Sequence, residues 1–112
     1  MFCRQNQTAY RELMDGIEVR TLVHGEKTLM AEYRLKKGSR LPEHSHPHEQ
    51  SGYLVSGRIR LHAGGEVLEA GPGDSWCISG NAEHWAEVIE DAVAVEVFSP
   101  VREDLLPGSF EE

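Results

Sequence analysis

Short strand-like segments separated by turn-forming residues are the feature that most limits how this chain can fold. Apolar and polar residues alternate in the segment TLMAEYRL, as they do in a strand with one buried face. Ser56-Gly57, Gly64-Gly65 and the run GPGD separate further segments of this kind, and such turn signals recur about every ten residues. This spacing is typical of all-β sandwiches and barrels. We therefore expect a single antiparallel β-barrel or jelly roll of eight to nine strands.

The length of the chain fits one domain of this type. A chain of 112 residues can bury one hydrophobic core but not two. We assign residues 1–112 to a single barrel domain whose core covers about 16–99. Residues 1–15 are then an N-terminal segment, and 100–112 are a polar C-terminal tail. Helix-like sequence is confined to TAYRELMD at 8–15, which predicts two helical turns at most.

Composition argues against several classes of protein. The formal net charge of −8 disfavours a general nucleic-acid binder, because phosphate binding needs a cationic face. No apolar run approaches the ~18–20 residues that cross a bilayer, so we expect no membrane association. Cys3 and Cys77 do not suggest a disulfide framework. The first residues lack a basic region followed by an apolar core, and we expect a cytoplasmic protein with reduced cysteines.

The segment HSHPHEQ contains three of the six histidines of the chain within seven residues. Alternate residues of an extended segment project to one side, so His44, His46 and Gln50 can all aim at one point inside a barrel. Imidazole nitrogens in such an arrangement are suitable ligands for a transition metal. His48 shares this parity, but Pro47 can turn it aside, which leaves its role as a fifth ligand or as a base open.

The spacing around this cluster resembles the first motif of the cupin superfamily, which usually has Glu where this chain has Gln50. The residues that carry the resemblance are Gly38, His44, His46, Gln50 and Gly57. The second cupin motif resembles GPGDSWCISGNAEHWAEV, and the two motifs together span about residues 28–98. The resemblance implies one divalent transition metal ion (Zn, Ni, Mn, Fe or Cu), whose ligands would be His44, His46, Gln50 and His84.

Gln50 changes the charge of the predicted metal centre. Three neutral imidazoles and a neutral amide leave the charge of a divalent cation uncompensated, whereas Glu would remove one unit. We therefore expect the centre to favour an anionic ligand, such as a substrate carboxylate, and to act as a Lewis acid. The ligand set differs from the two-histidine-one-carboxylate triad of iron oxygenases.

A second group of candidate residues lies in the last strand-like run, AVAVEVFSPVRED. Ala94, Glu96 and Phe98 share one parity, and the valines between them share the other. In one interpretation the valine face fills the core and Glu96 faces water. In the other, Glu96 lies beside the metal as a general acid/base of raised pKa, and Arg102 binds a carboxylate.

The pattern formed by Glu96, Phe98 and Arg102 resembles the small cupins of pectin and alginate breakdown, as does HSHPHEQ with Gln as a ligand. Those enzymes linearise 4,5-unsaturated monouronates to 5-keto-4-deoxyuronate, and their matching acidic residue is usually Asp. The resemblance implies a metal-dependent lyase or isomerase for a small, anionic, sugar-acid-like substrate, with catalytic residues Glu96, Phe98 and Arg102.

Two other functions stay open at this point. One is a metal-dependent oxygenase or isomerase that acts on another small molecule. The other is a non-catalytic cupin that binds a small-molecule ligand. The resemblance also implies a homodimer, because the edge strands of a small β domain usually need covering.

Overall fold

The computed structural model describes residues 1–107, and its eight strands belong to one antiparallel sheet. The strands are β1 (Arg11–Met14), β2 (Ile17–His24), β3 (Leu29–Leu35), β4 (Arg40–His44), β5 (Glu49–Ala63), β6 (Glu66–Ala70), β7 (Ser75–Ile78) and β8 (His84–Ser99). A short 3₁₀ helix, Glu103–Leu105, follows. The fold is an all-β jelly-roll barrel, which confirms the predicted fold class.

Two long strands, β5 and β8, pair along their lengths and join the two layers of the barrel. The first half of β5 pairs with β7, and its second half pairs with β6. Similarly, β8 pairs first with β4 and then with β3. Irregular register around Ser56 lets β5 bend from one layer to the other. Each long strand therefore contributes side chains to the barrel interior from both layers.

The bend in β5 requires a glycine. Gly57 has a φ of +86°, and a Cβ there would lie 2.1 Å from the carbonyl oxygen of Asp91. The sequence predicted separate strands on either side of Ser56-Gly57, but the structure has one strand that continues through this point. Pairing with β8 supplies backbone partners on both sides of the irregularity, so the chain bends there without ending the strand.

The hydrophobic core follows the predicted alternation. In β3 the residues of one parity are buried, namely Leu29, Ala31, Tyr33 and Leu35. Leu105 of the 3₁₀ helix is also buried in this core, and its carbonyl accepts a hydrogen bond from the hydroxyl of Thr21. The prediction that 100–112 form a polar tail is therefore wrong at Leu105, whose side chain covers the end of the core. Residues 108–112 of that tail lie outside the described residues.

The predicted helix at 8–15 is wrong, because Arg11–Met14 form β1 and pair with β2. Two helical turns are too short to be stable alone, so tertiary contacts decide the structure of such a segment. The edge of β2 offers backbone hydrogen bonds to it. The hydroxyl of Tyr10 also donates to Glu32 of β3 at 2.6 Å. Within residues 1–107 we find no helix that is long and apolar enough to span a membrane.

Candidate metal centre and cavity

Three of the predicted ligands lie together where β4 ends and β8 begins. His44 is the last residue of β4 and pairs with His84, the first residue of β8. His46 lies in the loop between β4 and β5, so its direction depends on the loop and not on strand parity. One ligand atom from each of these three histidines lies within 4.8 Å of the other two. His48 is not one of this group, although its ring is next to that of His46.

The backbone orients all three imidazoles. The Nδ1 atom of each ring makes a hydrogen bond to a carbonyl oxygen: His44 to Pro42 at 2.9 Å, His46 to His48 at 3.0 Å, and His84 to Ala82 at 2.9 Å. Because a carbonyl only accepts, each Nδ1 carries a proton, and in the neutral ring Nε2 then offers a lone pair. The Nε2 of His84 is buried and has no hydrogen-bond partner among the described residues.

This arrangement fits a metal ion. Metal-binding histidines commonly donate their other ring N–H to a backbone carbonyl, which fixes the tautomer and the ring orientation. Burial, followed by the positive charge of Arg102, lowers the pKa of His46. Burial likewise lowers the pKa of His84. Both shifts favour the neutral rings, whose lone pairs are available to a cation.

Gln50 extends the group from β5. Its Oε1 atom lies 2.8 Å from Nε2 of His46. Both atoms are hydrogen-bond acceptors when the ring is neutral, so a cation bound to both would relieve this contact. Adjacent ligands with bond lengths of ~2.0–2.2 Å lie about 3 Å apart, which matches the observed separation. Gln50 therefore fits as a fourth ligand.

These residues border a cavity of about 320 Å³ inside the barrel. His44, Gln50 and His84 line one part of it. The remaining wall is mostly apolar and aromatic, and it includes Trp76 and Phe98. A cavity of this size lies at the lower end of the range for small-molecule sites, so it suits a small ligand.

Glu96 faces this cavity from β8 and is only 8% exposed. The interpretation in which Glu96 faces water is therefore wrong. Its Oε1 accepts a hydrogen bond from Nε1 of Trp76 at 3.1 Å, and its Oε2 accepts one from Nε2 of Gln50 at 3.2 Å. Burial raises the pKa of Glu96 to about 7, although both hydrogen bonds and the charge of Arg102 act to lower it. Such a group can exchange a proton near neutral pH.

Arg102 reaches the same cavity from the segment after β8. Its guanidinium lies over the ring of Phe98, 4.8 Å from the centroid. Asp104 accepts a hydrogen bond from its Nε at 3.1 Å and another from its Nη2 at 2.7 Å. Burial raises the pKa of Asp104, but the hydrogen bonds and charge of Arg102 outweigh this and lower it overall. A guanidinium has five N–H groups, so Arg102 retains donors for an anion.

Sequence reasoning missed two residues of this site. Trp76 packs against Gly52, where a Cβ would lie 2.1 Å from its Nε1 atom. Tyr33 is buried and lines the cavity, and its neighbour on the same face, Ala31, pairs with Glu96. The alternation in TLMAEYRL was a sufficient signal for the inward direction of Tyr33. No comparable sequence signal links Trp76 to Glu96, because they come from different strands.

Comparison with known proteins gives matches over most of the chain. The family model described as Cupin domain matches residues 31–100. Pectin degradation protein KdgF of Dickeya dadantii (strain 3937) is 28% identical over 103 residues, which are 90% of this chain and 94% of that protein. The resemblance inferred from the sequence motifs is thereby confirmed.

Two solved structures share the fold closely. KdgF from Halomonas sp. matches with a TM-score of 0.89 and 26% identity, and the match covers 95% of this chain and 98% of that one. An RmlC-like cupin from Shewanella frigidimarina NCIMB 400 matches with a TM-score of 0.89 and 25% identity over 94% and 95% of the two chains. The similarity therefore includes both the barrel and the segments that border the cavity.

Proposed function

Because the chain belongs to the cupin family, we propose that its barrel is a metal-dependent enzyme that linearises 4,5-unsaturated monouronates to 5-keto-4-deoxyuronates. The observation that carries this proposal is the position of Glu96, Phe98 and Arg102, which line the same cavity as His44 and His84. The similarity to KdgF proteins of two organisms supports it, since one of them is described as a pectin degradation protein.

The proposed reaction is an isomerisation that opens a sugar ring. The substrate is a cyclic hemiacetal in which C4, C5 and the ring oxygen form an enol ether. Loss of the proton from the hydroxyl on C1 gives an aldehyde, while the bond between C1 and the ring oxygen breaks. The electrons of that bond leave an enolate oxygen on C5. A proton then adds to C4 and gives the ketone at C5, so substrate and product have the same composition.

We assign the proton transfers to Glu96. Its carboxylate has about four lone-pair positions, and the hydrogen bonds from Trp76 and Gln50 use one on each oxygen. The remaining positions can accept the proton from the hydroxyl on C1 and return it to C4. The apolar wall around the carboxylate keeps water away from the enolate while this transfer takes place.

Arg102 is the residue that we expect to bind the substrate carboxylate. Asp104 and the ring of Phe98 hold its guanidinium in place, and the N–H groups that Asp104 does not use can pair with a second carboxylate. A divalent cation supplies a Lewis acid for substrate oxygens when it is bound. The residues that would hold it are His44, His46, Gln50 and His84. Since all four are neutral, the positive charges of the cation and Arg102 favour an anionic ligand.

Ultraviolet absorbance of the enol ether provides the test. Protein loaded separately with Zn, Ni, Mn, Fe or Cu is incubated with unsaturated galacturonate and mannuronate, and the product is identified by NMR. We expect absorbance to fall faster than in buffer. Loss of a general acid/base lowers rates about 10²–10⁴-fold, so we expect a loss of this size in Glu96→Gln.

Glu87→Gln is the matched control for this variant. Glu87 also lies on β8, but it pairs with Arg60 at 3.0 Å outside the cavity. We expect it to retain wild-type activity. Unsaturated uronates that stay unchanged with every metal would contradict the proposed activity. Oxygen uptake with Fe or Cu would instead favour an oxygenase.

We also propose that the protein is a homodimer. Tyr53 and Val55 of β5 are 50% and 48% exposed on the outer face of the sheet. Exposed apolar side chains suit a two-fold interface, in which the same surface of each copy meets its counterpart. Light scattering after gel filtration is expected to give twice the chain mass, and Tyr53→Lys to give a monomer. A monomeric wild-type protein would contradict this assignment.

A further inference from the structure

The side-chain amide of Gln50 connects the candidate metal centre to Glu96. Its Oε1 faces Nε2 of His46 at 2.8 Å, and its Nε2 donates to Glu96 at 3.2 Å. Turning the amide over would place its oxygen against Glu96, and with the ionised carboxylate two acceptors would then face each other. Glu96 therefore determines which amide atom points towards the histidines.

Without Glu96 the opposite orientation would be preferred in the metal-free protein. The amide nitrogen of Gln50 would then donate to Nε2 of His46, whose Nδ1 already carries the ring proton. That hydrogen bond would occupy the lone pair a cation needs. It would also turn the amide oxygen away from the histidines, so two of the four candidate ligand atoms would be lost together.

Glu96 is itself held from its other side. Trp76 donates to Oε1 at 3.1 Å, so both carboxylate oxygens face N–H donors. Trp76 can lie there because its ring packs directly over Gly52, which has no side chain. The order of contacts is thus Gly52, Trp76, Glu96, Gln50 and the histidines. Each member restricts the next, and with a cation between Oε1 of Gln50 and Nε2 of His46 the amide would have one orientation that satisfies all of them.

We propose that Glu96 is a positioning residue for the metal ligand Gln50, and that these two residues are a matched pair. The inference rests on the metal ligands assigned under the proposed function, and it does not depend on the identity of the substrate. It also accounts for Gln where the cupin motif usually has Glu. A Glu at position 50 would place a second carboxylate against Glu96 without a donor between them, and like charges in a buried site disfavour each other.

The affinity for Zn²⁺, measured in competition with a chromophoric chelator, tests this pair without any substrate. Loss of a residue that orients a metal ligand typically weakens metal binding about 10–100-fold, and we expect a loss of that size in Glu96→Leu and Glu96→Gln. Glu87→Leu on the outer face of β8 is the control, with unchanged affinity expected. Wild-type affinity in both variants at position 96 would overturn the proposal.

Exchange of the two residues provides a second test, which places no apolar side chain at position 96. In the double variant Gln50→Glu with Glu96→Gln, the new amide donates to the new carboxylate and its oxygen still accepts from Trp76. We expect this variant to regain the Zn²⁺ affinity lost in Glu96→Gln. We also expect it to regain the metal-free melting temperature lost in Gln50→Glu. If neither property recovers, the two residues are not a matched pair.

The two proposals can fail separately. The double variant binds metal but lacks the carboxylate at position 96, so we expect it to be inactive on unsaturated uronates. Suppose that Zn²⁺ affinity depends on position 96 as expected but the wild-type protein leaves uronates unchanged. That result would contradict the proposed function alone. An active wild-type protein whose Zn²⁺ affinity does not depend on position 96 would contradict the matched pair alone.

Discussion

A single methyl group at position 52 is expected to displace Trp76 and to destabilise the fold. In Gly52→Ala the Cβ would lie 2.1 Å from Nε1 of Trp76, 2.2 Å from its Cε2 and 2.5 Å from its Cζ2. Ordinary contacts of a Cβ begin at 3.4 Å, so the indole must move by roughly 1 Å or more. Nε1 is also the atom that donates to Glu96 at 3.1 Å. The same movement therefore breaks that hydrogen bond.

The magnitude follows from these two effects. Overpacking of a core site usually costs ~1–3 kcal/mol, and a hydrogen bond to a charged group contributes ~1.5–3 kcal/mol. Trp76 is only half-buried, so its ring can move partly into solvent and relieve some of the strain. We expect the free energy of unfolding to fall by about 2–4 kcal/mol. For a domain of this size, that corresponds to a melting temperature lower by roughly 10–20 °C.

Urea unfolding of the metal-free protein, followed by tryptophan fluorescence, measures this loss. Gly25→Ala is the matched control, because no heavy atom lies within 4 Å of a Cβ built at Gly25. Surface substitutions of this type usually change stability by less than ~0.5 kcal/mol. If Gly52→Ala is as stable as Gly25→Ala, Trp76 is not confined against Gly52, and the proposed order of contacts to Glu96 is wrong.

Three further predictions concern the substrate, the metal and the core. Arg102→Lys removes a planar donor for the substrate carboxylate, and we expect KM for unsaturated uronates to rise about 10–100-fold; an unchanged KM in steady-state kinetics would contradict this role. At a metal concentration 100 times Kd, binding adds ~2.7 kcal/mol of stability, so thermal unfolding is expected to show a higher melting temperature for wild type but not for His46→Ala. An equal shift in both proteins would argue against His46 as a ligand. Leu54 is 0% exposed, so Leu54→Ala is expected to lose ~2–5 kcal/mol in urea unfolding. Val67→Ala, at a position that is 60% exposed, serves as its control.

The strand pattern of the sequence predicted which residues share a face, but not always which face is inside. Ala94, Glu96 and Phe98 alternate with valines along β8, and either set can face a core by hydrophobicity alone. The structure turns Glu96 inwards, where Trp76 and Gln50 supply its hydrogen bonds. Those donors come from other strands, so no local pattern around Glu96 contains this information.

Tertiary pairing also explains the local errors. The segment 8–15 has helix-forming residues, but the free edge of β2 pairs with Arg11–Met14 as a strand. Ser56-Gly57 predicted a turn between strands, whereas pairing with β8 carries β5 through it as an irregularity. The histidine group could be predicted from the sequence because its spacing resembles a known motif. Its ligand assignments, the homodimer and the cytoplasmic location stay predictions.

The short strand β4 has a consequence for how the cavity opens. Four of its five residues are exposed, and its register with β8 shifts between Leu41 and His44. Such a weakly packed strand opens more easily than the core strands, so its backbone amides should exchange with solvent early. A cation bound to His44 and His84 would join its last residue to β8. Leu41, Pro42 and His44 line the cavity, so ligand entry and metal retention would both depend on how often this strand detaches.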